Sequence, residues 1–482
     1  MAYMFKKMRC IIITQNAQGE KYMISITDEI LQKYQDRLNS RAVLDAQNQT
    51  YVDGVNFTIL HKPAVIDPDN RVPIPLAATA VTDIIGYAGG PEAIDTEYVL
   101  AEAREIDGKE ITTDEITEIL AEIDEHNLEG IENSELMTQS LSVGLAYELW
   151  WVSNKLDLES GIMTPEYKIL PNAECWPVYD SGIKPELEAF IRFWADDDDN
   201  QYADVYYPKR SERWTNKKDD AGYKRDSAGD TTYPYNRVPV IVYRTSMKDL
   251  PVFNAQKRII DSFDTLVSKT QNEVDRYNAL ITLFPGSVDA GFIKELAELA
   301  KPYIQGLEEY DPASWPRYLE KNLSGIQGFY DSQANRLERL FHKTINIPDM
   351  SDEQFAGSQS GVAIAYKLIG FEFLISVIEV YFRQGLKARK DLFFDVIETG
   401  TNAVKRDDYD QVIKWRRNIP VDDEGKVRIA AMLMGLGVSQ EMIMKFLPVT
   451  MIGDVKAELE RQEAEKEAEP DITLIPGKDE DE

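Results

Sequence analysis

The run Asp349-Met-Ser-Asp-Glu-Gln-Phe-Ala-Gly-Ser-Gln-Ser-Gly361 is polar and punctuated by serine and glycine. It opens directly onto Val362, Ala365, Tyr366, Leu368, Ile369, Phe373, Leu374, Val377, Ile378, Tyr381, Phe382, Leu386, Leu392 and Phe393. That three-and-four spacing predicts one long amphipathic helix. The 38 residues from Gly361 to Glu398 contain no proline. At about 1.5 Å per residue they would span roughly 57 Å. So long an apolar stripe in a soluble chain requires a large partner surface. Gly370 and Gly385 are candidate bends within it.

The 482 residues suffice for a sizeable core and more than one structural region. The formal net charge is −31. Such a balance argues against tight, sequence-independent DNA binding, which needs clustered Lys and Arg, and against anchoring to an anionic membrane. It does not exclude nucleic acid altogether, since a passage that DNA should slide through benefits from weak adhesion. Cys10 and Cys175 are the only cysteines, too few for a metal cluster, and they fit a reduced cytosol. The start, Met1-Ala-Tyr-Met-Phe-Lys-Lys-Met-Arg-Cys-Ile-Ile-Ile-Thr, has too short an apolar run for a signal peptide. No stretch reaches the roughly 18 apolar residues of a membrane span. A soluble, cytosolic chain is therefore expected.

Working outward, residues 27–50 read as a polar helix, and Val72–Tyr87 as a more apolar one entered from prolines. Between Glu92 and Glu135 there are 16 Asp or Glu against Arg104 and Lys109. Thr112 and Glu115 make a capping-box pair there, and Ile116, Ile119, Leu120 and Ile123 a helical stripe. This acidic stretch is read as a solvated helix face rather than a cation site. From Leu145 the period changes. Tyr147–Val152, Tyr167–Leu170, Ala189–Trp194, Ala203–Tyr207 and Val238–Tyr243 are aromatic and β-branched runs that predict antiparallel strands. The turn Asp196-Asp-Asp-Asp-Asn200 lacks the alternating ligands and central glycine of an EF-hand loop, so it is read as a hairpin tip.

After Pro251 helical spacing returns. Ile259, Ile260, Phe263, Leu266, Val267, Val274 and Tyr277 share a face. An insertion follows, with strand-like Ala279–Phe284, a helix over Gly291–Ile304 and an extended Trp315–Leu323. A second helix covers about Gln327–Thr344. Beyond the long helix come a strand at Val412–Arg416 and helices at Lys426–Leu436, Gln440–Phe446 (capped by Ser439) and Ile452–Glu469. From Pro470 the chain reads as a disordered acidic tail. The class is α+β.

No catalytic machinery is legible. His61, His126 and His342 each lack a spaced partner, so zinc and Ser-His chemistry lose their usual groups. There is no phosphate-binding Gly-x-x-x-x-Gly-Lys-Ser/Thr loop; Gly86-Tyr-Ala-Gly-Gly90 lacks the lysine. Among 84 carboxylates, neighbouring acids are chance. The patch Lys209-Arg-Ser-Glu-Arg-Trp214 with Lys217 and Lys218 reads as a solvated hairpin before it reads as a phosphate contact. Lys414-Trp-Arg-Arg417 is likewise read as structural. No catalytic, metal or cofactor residue is expected.

In combination, several segments resemble the portal protein of tailed double-stranded DNA bacteriophages, in the branch typical of phages of Gram-positive hosts. Arg237-Val-Pro-Val-Ile-Val-Tyr243 is similar to the strand before the family's first stem helix. Ile259-Ile-Asp-Ser-Phe-Asp264 through Gln271-Asn-Glu-Val274 is similar to that helix. Ile347-Pro-Asp-Met-Ser-Asp-Glu-Gln-Phe355 and Ser360-Gly-Val-Ala-Ile-Ala-Tyr-Lys-Leu368 resemble its tunnel loop and the long helix after it. Asn418-Ile-Pro-Val-Asp-Asp-Glu424, Leu436-Gly-Val-Ser-Gln-Glu441 and Asp454-Val-Lys-Ala-Glu-Leu-Glu460 match the C-terminal pattern. The resemblance covers roughly 130–470; the first forty residues match poorly.

The resemblance implies a portal fold assembled as a ring, commonly of about twelve subunits, with a mixed α/β wing at 1–250. Its stem would use helices at 251–280 and 326–346 around a small α/β clip at 281–325. A tunnel loop would cover 347–360, a long kinked helix and wing return strand 361–425, a helical crown 426–469, and an acidic tail 470–482. It further implies a position at one capsid vertex of the virion, reached from the host cytoplasm during assembly. There the ring would nucleate the head with major capsid and scaffolding proteins and dock the terminase large subunit. It would pass double-stranded DNA transiently and later join head-completion and connector proteins, with no membrane partner and no cofactor.

On that reading Asp349, Ser351, Asp352, Gln354, Ser358, Gln359 and Ser360 face DNA in the channel, gripping weakly by shape. Lys257, Lys269, Arg336, Arg339 and Lys343 offer scattered phosphate contacts, and Glu295, Glu308, Glu309 and Trp315 belong to the clip's partner surface. Two rivals stand beside it. An acidic phage nuclease or hydrolase would need a metal-ligand constellation on a strand core. A scaffold or minor head protein using the long helix as a coiled coil would need a sustained heptad, which Phe371, Phe373 and Phe382 broaden.

Overall fold

The computed structural model describes residues 25–62, 69–100, 105–106, 109–110, 120, 122–156, 163–218, 220, 222–278, 282–285, 304–307, 317–318, 323–349, 361–400 and 405–418, with 432–434, 443 and 461. Helices α1 (Asp28–Val52), α2 (Phe57–Leu60) and α3 (Leu76–Ile84) come first, and α3 runs into a π-helical turn at Ile85–Gly89. Strand β1 (Ile94–Leu100), a minimal hairpin of β2 (Glu105–Ile106) and β3 (Lys109–Glu110), and α4 (Glu129–Val143) follow. Eight strands come next: β4 (Leu145–Leu156), β5 (Met163–Leu170), β6 (Cys175–Tyr179), β7 (Leu187–Ala195), β8 (Gln201–Tyr207), β9 (Arg210–Asn216), β10 (Lys224–Thr232) and β11 (Val240–Arg244). Then come α5 (Lys257–Asn278), β12 (Thr282–Pro285), β13 (Ile304–Leu307), β14 (Arg317–Tyr318), α6 (Leu323–Ile345), α7 (Gly361–Gly400) and β15 (Tyr409–Trp415). The class is α+β, as the sequence predicts.

Alternation along β7 explains the first of the layers. Strands β6 to β10 form an antiparallel meander. Ala189, Ile191 and Phe193 bury one of its faces in a cluster with Ile26 and with Leu31 and Leu38 of α1. Phe190 points the other way and meets Tyr147 of β4 edge-on at 5.4 Å, against the three-stranded sheet β11-β4-β5. A slip of one residue in β7 would exchange these two faces, so the register is fixed by burial on both sides.

The principal core lies along α7. Leu368, Phe371, Ile375, Ile378, Phe382 and Leu386 are buried in it. Phe371 packs 4.7 Å from Tyr87, Phe382 4.9 Å from Tyr243, and Phe393 edge-on 4.8 Å from Trp150. The helix is continuous through both glycines proposed as bends. Gly385 has a different reason to be there: a Cβ at that position would stand 2.4 Å from Cδ1 of Tyr243.

Two features depart from the sequence reading. The acidic stretch after Glu92 contains a strand, β1, which pairs antiparallel with β15 from Ile94 opposite Trp415 to Leu100 opposite Tyr409. Its alternation (Ile94, Tyr98 inward; Asp95, Glu97 outward) is masked by the surrounding acids. Ile304, predicted to end a helix, instead begins β13, which pairs parallel to β12. Parallel neighbours need a crossover of a dozen or more residues. The rest of the predicted helix, from Gly291, lies outside the described residues. The chain divides into two compact units, Met1–Arg417 and Asn418–Glu482. In the second, positions 432–434, 443 and 461 are helical, within the segments predicted to be so.

Candidate functional site

The candidate site is built on α5 and α6. In α5, Ile260 and Phe263 are buried in the principal core, as are Phe341 and Ile345 of α6. The start of α5 meets the end of α6, where Gln256 Nε2 donates to Thr344 Oγ1 at 3.4 Å. Polar groups on α5 anchor the preceding segment. Asp264, fully buried, accepts from the Ile74 amide at 2.9 Å and from the Asn56 side chain. Ser268 Oγ accepts from the Val72 amide at 3.0 Å, and Asp261 from the Tyr51 hydroxyl at 2.9 Å. Burial pushes the Asp264 carboxyl above its usual range, against the pull of those donors.

The five predicted phosphate contacts do not share one environment. Lys257 is half-buried; its amine donates to Asn48 Oδ1 and lies 5.7 Å from the Tyr51 ring centre. Burial holds that amine below its ordinary range. Lys269 is exposed on α5. Arg336, Arg339 and Lys343 are exposed on one face of α6 and, with Asp331 and Ser332, line an open depression of about 740 Å³. The spacing that joins these three (i, i+3, i+7) is legible in the sequence.

Of the predicted loop residues only Asp349 is described. Asn346, at φ 63°, takes the left-handed conformation just past the end of α6. That turn brings Asp349 back beside the helix. Its carboxylate, one from Glu338 and a nitrogen of His342 all lie within 4.8 Å of one another. The sequence reading set His342 aside for want of a spaced partner. Glu338 stands four residues before it on the same helix face, and Asp349 arrives through the turn. Ser351, Asp352, Gln354, Ser358, Gln359 and Ser360 lie outside the described residues, as do Glu295, Glu308, Glu309 and Trp315.

The arginines of both basic patches are structurally engaged. Arg213 donates to both carboxylate oxygens of Asp204, at 2.7 and 3.0 Å, and lies 5.4 Å from the Trp194 ring centre. Arg225 reaches Glu212 at 2.7 Å. On β15 Lys414 pairs with Glu97, and just after it Arg416 pairs with Asp95 at 2.8 Å and Arg417 with Glu372 and Glu379 of α7 at 3.2 and 3.0 Å. The Asp196 turn is a hairpin tip between β7 and β8. There Asp196 accepts from the Asn200 side-chain amide, from the Asn200 and Asp198 backbone amides and from the Tyr202 hydroxyl, which hold its carboxyl below the usual range.

Among the described residues, the opposite side of α7 is exposed. Tyr366, Ile369, Phe373, Val377 and Val380 form a second apolar stripe, each at least half exposed. Among the described residues no helix is long and apolar enough to cross a membrane.

Comparison with known proteins places these features. A family model described as phage portal protein, SPP1 Gp6-like, matches residues 32–471 and so takes in α1, N-terminal to the stretch in which the sequence resemblance was read. The portal protein of Clostridium phage phiCD119 is 23% identical over 271 residues, which cover 52% of this chain and 57% of that protein. The chain thus spans little more than half the length of that curated relative. With a family match over most of its length, the chain belongs to the SPP1 Gp6-like family of phage portal proteins.

Proposed function

We propose that copies of this chain close into a ring, of about twelve subunits as membership of the portal family implies, at one vertex of a tailed-phage capsid. The ring is a conduit for double-stranded DNA during packaging and ejection. It nucleates procapsid assembly with major capsid and scaffolding proteins, then receives the terminase large subunit, and later head-completion and connector proteins. Its role is structural rather than catalytic. In this reading α5 and α6 form the stem, the segment 281–325 the clip, and the polar segment 347–360 the tunnel loop. The sheets before Leu250 with the β1–β15 pair form the wing, and 426–469 the crown.

The observation that carries it is the exposed stripe on α7. A chain of net charge −31 repels its own copies, so self-assembly must be driven by apolar contact. Five large apolar side chains over four turns of one helix supply such a contact. A face that meets a different face of an identical neighbour generates a ring if the rotation closes. About twelve such chains carry on the order of −370 charges, which disfavours adhesion of a duplex and suits passage.

Native mass spectrometry with negative-stain imaging of the purified chain tests the reading. The expected result is a closed ring of about twelve or thirteen copies with an axial hole. A stable monomer, dimer or rod under assembly-permissive salt would refute it in favour of a scaffold or minor head protein.

A further inference from the structure

We infer that Glu338, His342 and Asp349 form a binding site for a divalent first-row transition ion, of the Zn2+ or Mn2+ class, at the junction of α6 with the polar segment after it. The three side chains each present a ligand atom within 4.8 Å of the others. They come from two directions. Glu338 and His342 are stacked one turn apart on α6, and Asp349 returns through the left-handed turn at Asn346.

The imidazole is oriented for ligation by a group outside the cluster. His342 Nδ1–H donates to the Ile347 carbonyl at 3.1 Å, which leaves the lone pair on Nε2. A ligating histidine characteristically gives its other ring N–H to a carbonyl or carboxylate in this way, fixing tautomer and ring plane. The electrostatics also favour a cation. Asp83 of α3 is near enough to interact electrostatically with both His342 and Asp349. Two carboxylates stand beside one imidazole near the carbonyl end of α6, where the helix dipole is negative. One imidazole nitrogen with carboxylate oxygens suits Zn2+ or Mn2+ better than Mg2+ or Ca2+, which prefer all-oxygen shells. Bound there, the ion would tie the first residue of the polar segment to α6.

The test is made on the full-length protein as purified, whatever its oligomeric state, stripped with chelator. It is titrated with ZnCl2 and separately with MnCl2 by calorimetry, with millimolar Mg2+ present to occupy the diffuse acidic surface. The expected result is one ion per chain, with affinity at least ~10-fold weaker in His342→Gln and in Asp349→Asn. Electron spin-echo modulation of bound Mn2+ should show one imidazole nitrogen, absent in His342→Gln. Circular dichroism of both variants separates lost ligation from lost folding, and Asp349→Asn, outside any helix, is the variant less exposed to that failure. Absence of saturable binding under Mg2+, or equal affinity in wild type and both folded variants, would overturn the assignment. So would a bound Mn2+ without a nitrogen signal. None of these outcomes depends on whether the chain forms a ring.

Discussion

Arg389 of α7 and Glu148 of β4 form an ion pair removed from solvent, with relative exposures of 2% and 0%. Arg389 Nη2 meets Glu148 Oε2 at 2.5 Å and Nε meets Oε1 at 3.1 Å. Glu148 also accepts from Trp150 Nε1 at 2.6 Å, and Glu129 takes Arg389 Nη1 at 3.1 Å. The Tyr167 ring covers the guanidinium at 4.8 Å. Burial opposes the charge on Arg389, yet Glu148 and its neighbours outweigh it and hold the group protonated.

Because both ions are desolvated, removing one partner strands the other. Glu148→Gln or Arg389→Met should each cost about 3–5 kcal/mol, whereas the double apolar replacement should cost far less than their sum. A double-mutant cycle in chemical denaturation reads this. Additive losses would mean that the pair does not act as a unit.

Gly385 and Gly370 sit on the same helix and should respond in opposite senses. A methyl at 385 collides with the Tyr243 ring at 2.4 and 2.5 Å, so Gly385→Ala should destabilise by about 1–3 kcal/mol. At 370 it meets only Asn346 atoms at 3.8 and 3.9 Å, an ordinary contact. There the better helix propensity of alanine should stabilise by about 1 kcal/mol. Melting temperatures of the two variants decide, and a loss at 370 would show that the glycine is kept for flexure.

Cys175 is buried on β6, and burial raises its thiol far above the ordinary range. In a Cys10→Ser background the native protein should not react with a thiol reagent at pH 8, and should react once unfolded. The sign of the linkage follows. Above about pH 8.5 the unfolded chain sheds its thiol proton while the native chain keeps it. Stability then falls with rising pH by about 1.4 kcal/mol per unit from this group. Rapid native labelling at pH 8 would show that β6 opens.

The long helix, α1, α3, α5, α6 and seven of the strands (β4, β5, β7, β8, β11, β12 and β15) are legible because each has a recognisable period or apolar run. Phe190 and Ile191 announce two buried faces by alternating, and α7 announces its core by three-and-four spacing. β1 was not legible, since Asp95 and Glu97 look like more of the acidic run until Lys414 and Arg416 are seen opposite them. Strands β9 and β10 escaped for a related reason: their charged side chains pair across the sheet, Arg225 with Glu212 and Arg213 with Asp204; β6 is short and interrupted by Pro177. The Glu338–His342–Asp349 cluster escaped because one ligand arrives through a backbone turn at Asn346. A lone histidine search has no access to that. Nor could spacing show that Lys257, written like its neighbours on the same helix, points into Asn48 and Tyr51.

That last contrast separates two kinds of lysine and arginine by experiment. If α6 lines the channel, neutralising Arg336, Arg339 and Lys343 to Gln removes up to three phosphate contacts per chain. The slope of log affinity for a short duplex against log salt should then flatten by up to about 2.7 for each chain engaged. Stability should barely move, because all three side chains are exposed. Lys257→Met should do the reverse. It loses the bond to Asn48 and the contact with Tyr51, at about 1 kcal/mol, and leaves the salt slope unchanged. Fluorescence anisotropy at low salt, paired with thermal melts, reads both quantities on the same samples. An unchanged slope in the triple variant would remove α6 from the DNA path, and a changed slope in Lys257→Met would return that amine to it.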